Sequence, residues 1–205
     1  MTITSQLEKT YQFTCDVESD WGGRTDGVTG IDIGMPLIFK LFREHDIKGL
    51  FFVSGEVLEK RPGLIRDIVN EGHEIGNHGY FHTCFKEPWR AHMNMRVNKV
   101  LLQMNCQEQT RFEVRAPKFS TEFEGHRYSD PRGHISLLKQ TWFGGELAGD
   151  EIFYLHPFDI VGGKGAPNMF SRIWYAHPKR AYETLINLVT RHPGRVRLVK
   201  DSPSV

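Results

Sequence analysis

At 205 residues, 39% hydrophobic and 25% charged, the chain has the size and composition of one globular domain with a substantial core, and a single domain over residues 1–205 is expected. Its 26 basic and 25 acidic residues are interspersed and leave a net charge of +1, which excludes the basic face that grips a nucleic-acid backbone. The longest apolar runs, GLFFV and VLLQM, are too short for a transmembrane segment, and the start MTITSQLEKTYQF lacks the pattern of a secretory signal. Three cysteines (Cys15, Cys84, Cys106) at no metal-finger spacing fit reduced thiols, so a cytoplasmic location is expected.

Strand-like and helix-like segments alternate. Tyr11–Val17 (YQFTCDV) has the aromatic and β-branched character of a strand and runs into acids. In residues 34–46, Leu37, Ile38, Leu41 and Phe42 recur at helical spacing. KGLFFV (48–53) is a nearly continuous apolar run, as in a strand covered on both faces. RPGLIRDIVNEG (61–72) predicts a helix closed by Gly72, and HEIGN (73–77) a third strand. Residues 88–105 predict a long helix, and RFEVRAP (111–117) a strand stopped by Pro117. EIFYLHP (151–157) predicts another strand, residues 177–192 the last helix, and RVRLV (195–199) a closing strand. Residues 119–147 are polar and dotted with Gly and Pro, with only ISLLKQTW resembling an element, and residues 161–171 predict a loop. Strand then helix, repeated, implies a parallel sheet or barrel.

In such architectures reactive side chains collect at the C-terminal ends of the strands. The first strand ends in Asp16, Glu18 and Asp20, the third runs into His78 and His82, the fourth ends at Arg115 and the fifth at His156. Asp16 and Glu18, two apart on an extended chain, point to one side. His78 and His82, four apart, would share a face on a helical turn. A carboxylate beside two neutral imidazoles matches the ligands of a catalytic divalent ion, and a second carboxylate could act as general base. Arg115 would orient that base, and His156 would protonate a leaving amine. Taken singly, Arg115 reads as a structural ion pair, and Asp20 as a cap for the turn at Trp21-Gly22-Gly23. The convergence of all of them on one rim is what points to metal-assisted hydrolysis of an amide or ester.

The stretch GLFFVSGEVLEKRPGLIRDIVNEGHEIGNHGYFH, preceded by FTCDVESDW and followed by RAPKF and YLH, resembles the polysaccharide deacetylase family, carbohydrate esterase family 4. The resemblance implies an α/β fold, a distorted (β/α)7 barrel. It also implies metal-dependent removal of an N-acetyl or N-formyl group from an amino sugar in a polysaccharide, an oligosaccharide or a lipid- or nucleotide-linked precursor. By position it makes Asp16 the catalytic base, His78 and His82 metal ligands, Arg115 the residue that orients the base, His156 the general acid, and the Lys118 backbone amide an oxyanion donor. Asp16-Val17-Glu18 resembles the Asp-x-Glu or Asp-x-Asp subgroup, so Glu18 is the third ligand, with Asp20 as its substitute. Zn is the metal implied first, with Co, Ni, Fe or Mn also compatible. The family's Asp and Trp block has three candidates here: Trp142, Asp150 and Asp159. An acylated amino sugar is the expected partner, and the oligomeric state is not implied. A hydrolase of a small non-sugar amide and a non-catalytic sugar-binding relative remain the alternatives.

Overall fold

The structure, a computed structural model, describes residues 11–82, 88–106, 113–114, 122–123, 126–127, 135–144, 151–162 and 165–191. The first strand, β1 (Tyr11–Val17), is buried along nearly its whole length, as its apolar, β-branched composition demands. It leads into a single turn, α1 (Asp20–Gly23), in which Trp21 (φ 64°) and Gly22 (φ 72°) are left-handed. A π-helical turn (Gly30–Gly34) then feeds α2 (Met35–Glu44), which buries Met35, Ile38, Leu41 and Phe42. After β2 (Leu50–Val53), with all four side chains buried, come α3 (Gly55–Lys60) and α4 (Leu64–Asn70). Gly72 follows α4 at φ 78°, the left-handed conformation that ends a helix.

Then follow β3 (Glu74–Asn77), α5 (Pro88–Asn105), β4 (Glu113–Val114), β5 (Glu122–Phe123) and β6 (His126–Arg127). The chain continues with β7 (Ile135–Ser136), α6 (Leu137–Phe143), β8 (Glu151–Leu155) and a 3₁₀ turn (Pro157–Ile160). It ends its described course in α7 (Met169–Trp174) and α8 (Pro178–Arg191). No helix among the described residues is long and apolar enough to cross a membrane.

Six strands form one sheet in the order β4-β3-β2-β1-β8-β7, every neighbouring pair parallel; β5 and β6 form a separate antiparallel pair. Parallel strands joined by helices bury both faces of the sheet, which explains the unbroken LFFV of β2. In the core, Phe13 meets Phe42 at 5.5 Å and Phe153 at 5.4 Å between ring centroids. Ile38, Ile65, Ile68, Ile75, Leu102 and Leu185 fill around them. Each such side chain contributes about 2 kcal/mol over its exposed state.

The expected bounds of β1 and α5 match the observed ones. Residues 135–142 (ISLLKQTW), read as one ambiguous element, are a two-residue strand running straight into a helix that extends to Phe143. The expected loop at 161–171 gives way to a helix at Met169, begun by the Asn168 side chain accepting from the Ser171 amide at 2.8 Å. The expected closing strand at 195–199 lies outside the described residues.

Candidate active site

The sheet order explains the site. β1 is central, with β2 and then β3 on one side and β8 on the other. Residues just past the ends of β1, β3 and β8 therefore meet at one rim. Glu18, one residue beyond β1, is 1% exposed. Its Oε2 lies 3.3 Å from His78 Nε2 and 2.9 Å from His82 Nε2, while its Oε1 lies 3.5 Å from His156 Nε2.

Close as these atoms are, none of the contacts gives Glu18 Oε2 a partner of hydrogen-bond geometry among the described residues. A buried carboxylate oxygen left this way is costly unless another group completes it. One donor atom each from Glu18, His78 and His82 lies within 4.8 Å of the others, close enough for one cation to bind all three. Two imidazoles and a carboxylate also form the donor set of catalytic zinc and related divalent ions. Gly22 borders the cluster: a Cβ there would lie 3.4 Å from His82 Cε1 and 3.6 Å from Glu18 Oε1, and its left-handed φ disfavours any side chain. Burial opposes ionisation of Glu18, and the imidazoles of His82, His78 and His156 overcome it, holding the carboxyl well below the usual range.

The histidines do not share a helical turn, as their spacing suggested. Both lie in the loop beyond β3. That loop is fastened to α5 by buried amides: Asn94 Oδ1 accepts from the Tyr80 and Phe81 amides at 3.0 and 2.8 Å, and its Nδ2 donates to Phe81 O at 3.2 Å. Asn77 Oδ1 accepts from the Gly79 amide at 2.9 Å and from Asn98 Nδ2 at 2.7 Å. Sequence reading passed over both Asn94 and Asn98, because an asparagine in a polar-looking helix carries no signal of its own.

On the other side of Glu18, His156 has Asp159 as its partner. The His156 amide donates to Asp159 Oδ2 at 2.8 Å, and Asp159 Oδ1 faces His156 Nδ1 at 3.5 Å, an ion-pair distance rather than a full hydrogen bond. Burial lowers the affinity of His156 for its proton, but the charges of Asp159, Glu18 and Asp16 outweigh it, and the imidazole is pushed up to about 9. Of the Asp and Trp candidates among the described residues, Asp159 is therefore the one beside the site. Trp142 instead stacks on Trp174, 6.0 Å away, and Asp150 lies outside the described residues.

Asp16 is buried on β1, two residues before Glu18, and its charge reaches His156. Asp20 is engaged elsewhere: its carboxylate accepts from the Thr29 and Gly30 amides at 2.8 and 2.9 Å, tying α1 to the start of the π-helical turn. It holds this longer connection rather than the local turn at Trp21-Gly22-Gly23. Arg115 and Lys118 lie outside the described residues.

A sequence model of the family described as polysaccharide deacetylase matches residues 29–122, a span that holds β2, β3 and both loop histidines. Over that span the chain is similar to the polysaccharide deacetylase family. Glu18 and His156 fall outside that matched span, so it is the fold that brings them to the histidines. A peptidoglycan-N-acetylglucosamine deacetylase of Bacillus cereus is 47% identical over 47 residues, 23% of this chain and 17% of that protein. A chitooligosaccharide deacetylase of Sinorhizobium fredii is 32% identical over 84 residues, 40% of this chain and 39% of that protein. The match thus spans well under half the length of each of these relatives.

Among solved structures, a mutant of the peptidoglycan deacetylase PdaC from Bacillus subtilis superposes with a TM-score of 0.58 at 14% identity, covering 91% of this chain and 86% of that one. A family 4 pseudoenzyme from Bacillus anthracis superposes with a TM-score of 0.54 at 15% identity, covering 94% of this chain and 68% of that one. These likenesses establish the fold, which among the described residues is an α/β arrangement around six parallel strands. A pseudoenzyme among the neighbours shows that this fold does not by itself decide activity.

Proposed function

We propose that the chain is a divalent-metal-dependent hydrolase that removes an N-acetyl or N-formyl group from an amino sugar. One observation carries this reading: a single buried carboxylate, Glu18, faces the two loop histidines with one oxygen and the His156–Asp159 pair with the other. Relatives described as deacetylases of peptidoglycan and chitooligosaccharides support the substrate class. Glu18, His78 and His82 hold the ion, with Zn²⁺ first among divalent metals because two nitrogens and one oxygen suit it. When bound, the ion supplies Lewis acidity toward the acyl oxygen and the attacking water.

The other steps belong to the protein. Asp16 takes the proton of the attacking water. His156, paired with Asp159, hands a proton to the departing amine. Asp159 fixes the position of His156 from behind. Arg115 keeps Asp16 ionised and aimed, and the Lys118 amide donates to the developing oxyanion. Cys15 and Cys106 are buried and outside any disulfide, which supports a reducing, cytoplasmic setting.

The test is elemental analysis of the purified protein, followed by assay of acetate or formate release from N-acylated amino sugars with and without a chelator. Metal in stoichiometric amount and chelator-sensitive release are expected. Fully metal-loaded protein that binds such sugars and releases no acid would overturn the reading in favour of a non-catalytic sugar binder.

A further inference from the structure

Tyr175 packs behind His156 through Phe158, its ring 5.6 Å from Phe158 and 5.0 Å from Trp21, while Phe158 stacks on His156 at 4.8 Å. The neighbouring residue, Trp174, belongs to a different cluster that faces outward. It stacks on Phe170 at 5.8 Å and on Trp142 at 6.0 Å, and meets Phe143 at 6.3 Å. This cluster is not core. Phe143 is 77% exposed, Met169 76%, Phe170 71% and Ile173 58%. Ring contacts join residues from α6 and α7 into one patch, and a contiguous exposed apolar patch on a soluble fold marks a contact site.

Charge says what it contacts. Residues 135–144 and 165–182 contain no aspartate or glutamate, but they include Lys139, Arg172, Lys179 and Arg180, all exposed. Chemistry around the rings separates the candidate occupants. A glycan platform needs polar groups beside its rings to take the sugar hydroxyls, yet Asn168 is committed to the Ser171 amide, and Arg172 Nε donates to Ala166 O. The exposed aliphatic side chains of Met169 and Ile173 offer a sugar nothing. A second copy of the chain would bring the four cations of each partner together. Aromatic and aliphatic side chains ringed by lysine and arginine instead match the boundary of an anionic bilayer, where rings enter the headgroup layer and cations meet lipid phosphates.

We propose that the α6–α7 face docks on an anionic phospholipid surface, to which the His156 side of the site is joined through Phe158 and Tyr175. Combined with the function proposed above, on which this consequence rests, docking selects amino sugars presented at a membrane over those free in solution.

Co-sedimentation with vesicles of phosphatidylcholine, alone or mixed with phosphatidylglycerol, tests the docking directly. The protein should pellet with the mixed vesicles, less so in high salt, and only weakly with phosphatidylcholine alone. Phe143→Ser with Phe170→Ser removes apolar area without changing charge and should weaken vesicle binding by on the order of tenfold or more. Lys179→Gln with Arg180→Gln should cost roughly fivefold per cation and flatten the salt dependence. All four positions are exposed, and thermal melts of both variants should overlay the parent.

Three results would overturn the proposal: equal vesicle binding by parent and Phe143→Ser/Phe170→Ser; loss in that variant of binding to chitooligosaccharide rather than to vesicles; or a parent dimer in solution that the variant abolishes. Turnover of a small soluble N-acylated amino sugar should be the same in parent and variants. Absence of turnover in all of them would refute the proposed activity and leave the docking result standing.

Discussion

Glu18 and Asp16 are the same chemical group two residues apart, and the structure gives them different surroundings. Glu18 is nearly inaccessible and faces three imidazoles, so its charge is required to organise the cluster. Asp16 is one step further back on β1 and touches the site through its field on His156. Amide-for-acid exchange separates the two roles. Glu18→Gln keeps the shape and removes the charge, and should lower metal affinity by more than the roughly 100-fold that loss of an outer partner causes. Asp16→Asn should leave metal content near parent level and reduce turnover by about 10²–10⁴-fold, the range of a lost general base. Metal titration by calorimetry, read beside the rate of acid release, gives both answers. A Glu18→Gln protein that still binds metal at parental affinity would remove Glu18 from the ligand set.

At the scale of elements, two supports aim these side chains, and neither is visible as a motif. The loop carrying His78 and His82 is held by Asn94 of α5 through three backbone contacts. Asn94→Ala leaves the Tyr80 and Phe81 amides without that acceptor and should cost about 1–3 kcal/mol in denaturant unfolding. Metal affinity should fall about tenfold with it, and Asn94→Asp, which keeps the acceptor, should restore part of both. The second support is the π-helical turn, which packs against the 3₁₀ turn bearing Asp159. A Cβ on Gly34 would lie 2.0 Å from the Pro157 carbonyl oxygen, and one on Gly30 2.6 Å from the Phe158 amide. Gly34→Ala therefore forces backbone apart and should destabilise by roughly 1–3 kcal/mol or more, with kcat falling because His156 and Asp159 move together. A thermal melt and kcat unchanged from the parent would show that the two turns yield without consequence. These elements also show what sequence can disclose. α8 was legible because its apolar period repeats, β1 because aromatic and β-branched residues fill it, and α5 by its length without glycine or internal proline rather than by a period. The residues GIDIG of the π-helical turn carry no such signal, since their glycines serve a contact with residues more than 120 positions away. The six-residue α3 is too short to show a period. Likewise Glu18, His78, His82 and His156 were legible as chemistry at strand ends, whereas the Asp159 partner and the commitment of Asp20 to the Thr29 and Gly30 amides depend on folded geometry.

For the molecule as a whole, the core itself carries a titratable group. His73, between α4 and β3, is 6% exposed and packed among Phe39, Phe42 and Phe51 at ring distances of 5.6, 5.8 and 4.8 Å. Its Nδ1 accepts from the Gly49 amide at 3.3 Å, which fixes the neutral tautomer with the proton on Nε2. Burial first, and the nearby charge of Lys48 second, push the imidazole down from 6.5 to about 4. The native state thus binds fewer protons at this site than the unfolded chain between those two values. Stability contributed by the neutral ring is fully present above pH 6.5 and is lost as pH falls from there toward 4. The slope approaches about 1.4 kcal/mol per pH unit, for a total of up to roughly 3 kcal/mol. Other groups titrate in the same window, so the comparison that isolates His73 is a variant. His73→Phe keeps an aromatic ring among the phenylalanines and cannot take a proton. It should start less stable, because the Gly49 amide loses its acceptor, yet decline more gently as pH falls from 6.5 to 4. Denaturant midpoints measured across that range for both proteins read the two slopes. Parallel curves would mean that acid unfolds this molecule elsewhere and that protonation of the buried imidazole is not what weakens the packing of His73 against Phe39, Phe42 and Phe51.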